Sequence, residues 1–132
     1  VARDVFDEPI DPRRSAAFLA DPRHHIAVAV DSGVVVGFAS AVRYVNPDKP
    51  PELWINEVGV APTHRRRGCG RKMLRALLSL GRRLGCAEAW VLTEPGNRAA
   101  QNLYRAVGGR KKRTRSVMFE FSLKKTKRRI QR

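Results

Sequence analysis

Apolar positions along this chain change their period several times, and each change marks an element. Residues 25–30 and 34–45 are rich in Val and Ala and flank Asp31-Ser32-Gly33, so they read as two strands joined by a hairpin turn. Pro47, Pro50 and Pro51 make residues 46–51 a loop, because proline cannot donate to a central ladder. An apolar run resumes over 53–60 as a third strand. From Met73 the spacing turns helical: Met73, Leu74, Leu77, Leu78 and Leu84 recur on one side, with Arg71, Lys72, Arg75, Arg82 and Arg83 on the other, until Gly85 ends the helix. Residues 89–93 form the next strand. A turn at Pro95-Gly96 leads to a helix opened by Asn97 and closed by Gly108-Gly109, and a last strand covers 116–123. Near the start, residues 1–6 read as the end of a helix. Asp11 as N-cap with Pro12 behind it begins a short helix through Ser15, Phe18 and Leu19 that stops before Asp21-Pro22.

A hairpin followed by strand, helix, strand, helix and strand predicts an α/β (α+β) fold, a mixed, mostly antiparallel sheet flanked by helices. The 132 residues suit a single domain, here 1–123, followed by a basic tail, 124–132. No run of about eighteen apolar residues spans a membrane and no signal peptide opens the chain, which predicts a cytoplasmic protein. Cys69 and Cys86 lack metal-site spacing with the histidines and read as free thiols, so no metal is expected.

Charge is distributed unevenly. Residues 1–60 hold nine acids and six bases, whereas residues 61–132 hold three acids and twenty-one bases. A basic half suits an anionic ligand and an acidic half suits a cationic one. The densest basic stretch with structure around it is Arg65-Arg66-Arg67-Gly68-Cys69-Gly70-Arg71, between the third strand and the leucine-bearing helix. The first turn of that helix has backbone N–H groups without intrahelical partners and the positive end of the macrodipole. Gly68 and Gly70 allow close approach of a ligand to the backbone, and the arginines add charge-assisted hydrogen bonds. This is a phosphate cradle, but it lacks the Lys-Ser pair of a P-loop and the GxGxxG of a dinucleotide fold.

The stretch from Arg65 to Gly70 resembles the acyl-CoA loop of the GNAT superfamily of N-acetyltransferases: Gln or Arg, two variable residues, Gly, one variable residue, then Gly or Ala. Downstream, Asn97-Arg98-Ala99-Ala100-Gln101-Asn102-Leu103-Tyr104 is similar to that family's second motif, an Asn opening a helix with a Tyr in its second turn. The resemblance covers nearly the whole chain and implies acetyl-CoA as cofactor. The family usually begins with a strand and a longer helix that this chain lacks, so its start reads as trimmed and its sheet edge as open to a neighbour, which leaves room for a homodimer.

By the same resemblance, the third strand bulges and parts from its neighbour, so backbone groups of Val58, Gly59 and Val60 would hold the pantetheine arm and acetyl oxygen. Arg65, Arg66, Arg67, Gly68, Cys69, Gly70 and Arg71 would hold the diphosphate, and Asn97 the CoA arm. Tyr104 is the candidate acid for the departing sulfur, since a phenol is protonated at neutral pH. Glu57 is the candidate base, a carboxylate whose apolar strand neighbours would raise its basicity. Glu52 and Glu94 are alternatives.

The segments Ala20 to His25, Pro47 to Val58 and Val117 to Phe121 resemble the aminoglycoside 3-N-acetyltransferase branch. That implies a polycationic acceptor acetylated on its 3-amino group, met by Asp21, Asp48, Glu52, Glu57, Glu94 and Glu120 around one mouth. Two rivals are a protein or peptide N-acetyltransferase, including one for ribosomal proteins, and a non-catalytic nucleic-acid-binding module built on residues 110–115 and the tail.

Overall fold

A computed structural model describes residues 1–124. Helix α1 (Pro12–Ala20) is followed by strands β1 (His24–Asp31), β2 (Val34–Tyr44) and β3 (Glu52–Val60), helix α2 (Cys69–Arg83), strand β4 (Glu88–Val91) and helix α3 (Arg98–Ala106). The sheet runs in the order β1-β2-β3-β4, antiparallel except for the parallel β3–β4 pair.

Local chemistry sets most of these boundaries. The Asp11 carboxylate accepts from the amides of Arg13 and Arg14 ahead of α1, with Pro12 at its start. Ser32 and Gly33 form the two-residue hairpin loop with φ of 50° and 79°, the left-handed pair whose twist matches antiparallel strands. Beyond α2, Gly85 takes φ 78° and Cys86 N–H returns to the Gly81 carbonyl, closing the helix.

The main core lies between α2 and one face of the sheet, where Met73, Leu74 and Leu77 meet Ala39, Ala41, Leu53 and Ile55. Gly81 lets the helix sit directly on Leu53, since a Cβ there would come within 3.1 Å of that side chain. The other face carries a smaller cluster of Val5, Val36, Phe38 and Ala61.

Two expected elements are absent. Residues 1–6 are not the end of a helix. Ala2 N–H donates to Val35, Asp4 takes φ 59°, and Phe6 stacks on Phe38 at 3.9 Å, so apolar burial across the sheet overrides helical spacing. Nor do residues 116–123 form a strand. Val117, Phe119 and Phe121 remain 77–82% exposed, and the segment has no ladder partner. A strand needs an edge to pair with, and β4 presents only four residues, reached through the mutually repelling bases of 110–115. Of the tail, residues 125–132 lie outside the described residues.

Candidate active site

Strand β3 changes partners halfway along. Ser40 pairs with Glu57 but Ala41 pairs with Ile55, so Asn56 is an extra residue, a β-bulge. Pairing with β4 ends at Ile55 opposite Val91, while β3 continues to Val60. From the bulge onward, the β4-facing backbone of Glu57, Val58, Gly59 and Val60 has no strand beside it. The expected parting of the two strands is therefore present, and its cause is the bulge together with the short β4.

The loop leaving this opening enters α2 without a side-chain cap. Gly68 sits at the N-cap with φ 81°, no acid lies in the first turn, and a Cβ at Gly68 would meet nothing within 4 Å. The amides of Cys69, Gly70 and Arg71 thus lack an intrahelical or side-chain cap partner at the positive end of the helix. Arg66 takes φ 61°, and Arg65 Nε donates to the Val60 carbonyl at 3.3 Å, tying the loop to the strand end. A Cβ at Gly70 would lie 3.0 Å from Leu103, so this glycine also lets α2 and α3 meet closely.

Helix α3 begins at the same end of the sheet. The Asn97 side-chain oxygen accepts from Ala100 N–H at 3.0 Å, an N-cap that leaves its amide NH2 free. Gln101 Nε2 donates to the Pro95 carbonyl at 2.8 Å and steadies the preceding loop. Beside it, Pro95, Arg98, Gln101, Asn102 and Arg105 line a cavity of about 320 Å3. Tyr104 is half-buried against the main core, and burial pushes its phenol above the usual value. Uncapped amides, arginines and an unpaired strand edge are what an extended anionic cofactor such as CoA would fit.

The acids do not gather at one mouth. Asp48 and Glu52 lie at the end of the sheet remote from the α2 entry, Glu94 lies at the near end, Glu57 between them, and Glu120 on the unpaired C-terminal segment. Asp21, also at the remote end, is already matched: Arg23 grips it through Nε and NH2, holding its carboxyl down to about 2. Glu57 is exposed, so the apolar surroundings expected for it are absent.

Sequence reasoning missed His64. Its Nε2 donates to Asp31 at 2.7 Å and the Thr63 hydroxyl lies 2.8 Å from Nδ1, fastening the turn after β3 to the end of β1. Asp31 is held below the usual carboxylate range chiefly by that bond. Asp31, His64, Cys69 and Lys72 rim a second cavity, about 410 Å3, between β1 and α2 and away from the β3–β4 opening. Both cysteines are free, as expected.

Residues 2–108 match the profile of the acetyltransferase (GNAT) family. The chain belongs to that family. An N-alpha-acetyltransferase RimI of Mycobacterium tuberculosis is 38% identical over 79% of this chain and 63% of its own length. An aminoglycoside N(6')-acetyltransferase type 1 of Salmonella typhimurium is 34% identical over 64% of this chain and 62% of its own. The chain thus spans just under two thirds of these curated relatives. Aminoglycoside N-acetyltransferase AAC(6')-Iy in complex with CoA superposes with a TM-score of 0.68 at 29% identity, covering 83% of this chain and 87% of that one. An aminoglycoside acetyltransferase from an uncultured soil metagenomic sample shares the fold, with a TM-score of 0.78 at 22% identity over 90% of this chain and 78% of that one. The names these relatives carry are N-alpha-acetyltransferase and aminoglycoside N(6')-acetyltransferase, so a 3-N branch is not shown. Among the described residues, no helix is long and apolar enough to cross a membrane.

Proposed function

We propose that this chain transfers the acetyl group of acetyl-CoA to a primary amine of a small polycationic acceptor. The observation that carries the reading is the parting of β3 from β4 directly below an uncapped, arginine-rich helix start. Acetyl-CoA supplies an activated acyl carbon on a thioester. Amides of Gly68 to Arg71 bind its diphosphate, and the unpaired edge from Glu57 to Val60 orients the arm and donates to the acyl oxygen as negative charge develops there. The amine nitrogen bonds to the acyl carbon and the C–S bond breaks. Tyr104 gives its proton to the departing sulfur, and Glu57, directly or through water, takes the surplus proton from nitrogen.

Aminoglycosides are the favoured acceptors, supported by the names of several relatives; the 3-amino position rests on the sequence resemblance alone. A second reading, acetylation of a protein N-terminal amine, is favoured by the 38% identity to RimI. The test is thiol release from acetyl-CoA against aminoglycosides, polyamines and peptides with free N-termini. Turnover with the first two but not the peptides supports the proposal. Turnover confined to peptides replaces the acceptor, and none with any amine refutes the activity.

A further inference from the structure

The registers of β3 against β4 and β2 join Glu52, already a candidate acceptor ligand, to Glu88, Trp90 and Tyr44, which no sequence motif singled out. Trp54 pairs with Trp90, and their rings stack at 5.3 Å with planes 13° apart. Two residues earlier Glu52 pairs with Glu88, and across β2 the partners of Trp54 and Glu52 are Val42 and Tyr44. Side chains at paired and alternate positions share a face, so Glu52, Glu88, Tyr44 and the two tryptophans lie together on the side away from α2. Because the bulge at Asn56 adds one residue, Glu57 returns to that same face as the partner of Ser40. Arg43 pairs with Leu53 and so belongs to the opposite side.

The stack sits one residue pair before β3 and β4 part. Trp90 is 39% exposed and Tyr44 is exposed, so the aromatic surface faces solvent at the threshold of the opening. Directly opposed carboxylates repel, yet among the described residues neither Glu52 nor Glu88 has an ion-pair partner. An aromatic face attracts cations through its quadrupole and also seats the apolar face of a ring. Carboxylates two residues away on each strand supply the matching charge.

We infer that the Trp54–Trp90 stack, flanked by Glu52, Glu88 and Tyr44, is the acceptor surface, and that it selects a cyclic amine bearing two or more ammonium groups. This rests on the acetyltransferase reading and adds to it the residues that choose the acceptor. An amino sugar lying on the stack, with one ammonium held by Glu52 and Glu88, extends another amine past Glu57 to the acyl carbon held at the opening. A single-charge amine has only one of these contacts.

The chain's two tryptophans are these two, so their fluorescence reports on the surface directly. Neamine is titrated into the full chain without acetyl-CoA, alongside cyclohexylamine as the single-charge control. Saturable quenching by neamine, weaker by about tenfold in the E52Q/E88Q double variant and in high salt, supports the inference. CoA affinity by calorimetry should be the same in that variant as in the native chain. Trp90→Leu should raise the neamine KM with little change in the acetyl-CoA KM; if that variant fails to fold, the glutamate pair decides alone. Acetylation of neamine without any tryptophan response, or with a KM unmoved by E52Q/E88Q, overturns the acceptor surface and leaves the transferase standing. Quenching without turnover of any amine overturns the transferase and leaves the cation-binding face.

Discussion

The entry to α2 and the tryptophan face flank the same strand and are made differently. At the α2 entry, the groups that would meet a ligand are backbone amides, set by one glycine at φ 81° and by the absence of a capping side chain. On the tryptophan face they are side chains, brought together only because two strands pair in one register. A backbone site survives most side-chain exchange and fails at its glycines, whereas a side-chain site fails residue by residue.

The strongest blow to the comparison falls on Gly59, in the strand both regions share. A Cβ there would run into the Val5 carbonyl oxygen and the Phe38 ring, so Gly59→Val should cost about 3 kcal/mol, read by urea denaturation. Stability within error of the native chain would mean the N-terminal segment does not pack there. Next, Tyr104→Phe should lower kcat about a hundredfold while CoA affinity stays. Because burial raises the phenol's pKa, the native alkaline limb should lie above pH 10; a limb near pH 8 would exclude this residue as the acid.

Glu57→Gln should slow turnover about tenfold at neutral pH, with the deficit shrinking as alkaline pH deprotonates the amine unaided. A deficit constant across pH would make Glu57 a binding group. Gly70→Ala crowds Leu103 and should cost about 1 kcal/mol, separating helix packing from ligand binding if CoA affinity is kept. The smallest effect concerns Asp21. Its folded pKa of about 2 lies below the model-compound 3.8, so its contribution is present above pH 4 and is lost as pH falls toward 2. Asp21→Asn should flatten that acid limb, and an unchanged limb would remove the Arg23 contact from the account.

How much of this was legible follows from the same contrast. The hairpin at Ser32-Gly33, the Asp11 and Asn97 caps and the helix stop at Gly85 are local backbone chemistry, written where it acts. The glycine turn ahead of α2 was legible for that reason too, although the packing of Gly70 against α3 was not. The pairing of Trp54 with Trp90, and of Glu52 with Glu88, depends on a parallel register across more than thirty residues of intervening chain, which no local pattern encodes. Val5 against Gly59 is equally nonlocal. For residues 116–123 the strand-like composition was visible, but whether an edge would accept them was not.

The central claim is that the uncapped start of α2 receives the diphosphate of CoA. Gly68→Asp tests it most directly, because aspartate visits positive φ more readily than most residues, so the fold should persist while a carboxylate stands beside the donor amides. Calorimetry should show CoA binding weakened about tenfold or more, with an unchanged circular dichroism spectrum. An unaltered Kd for CoA in that variant would contradict the account.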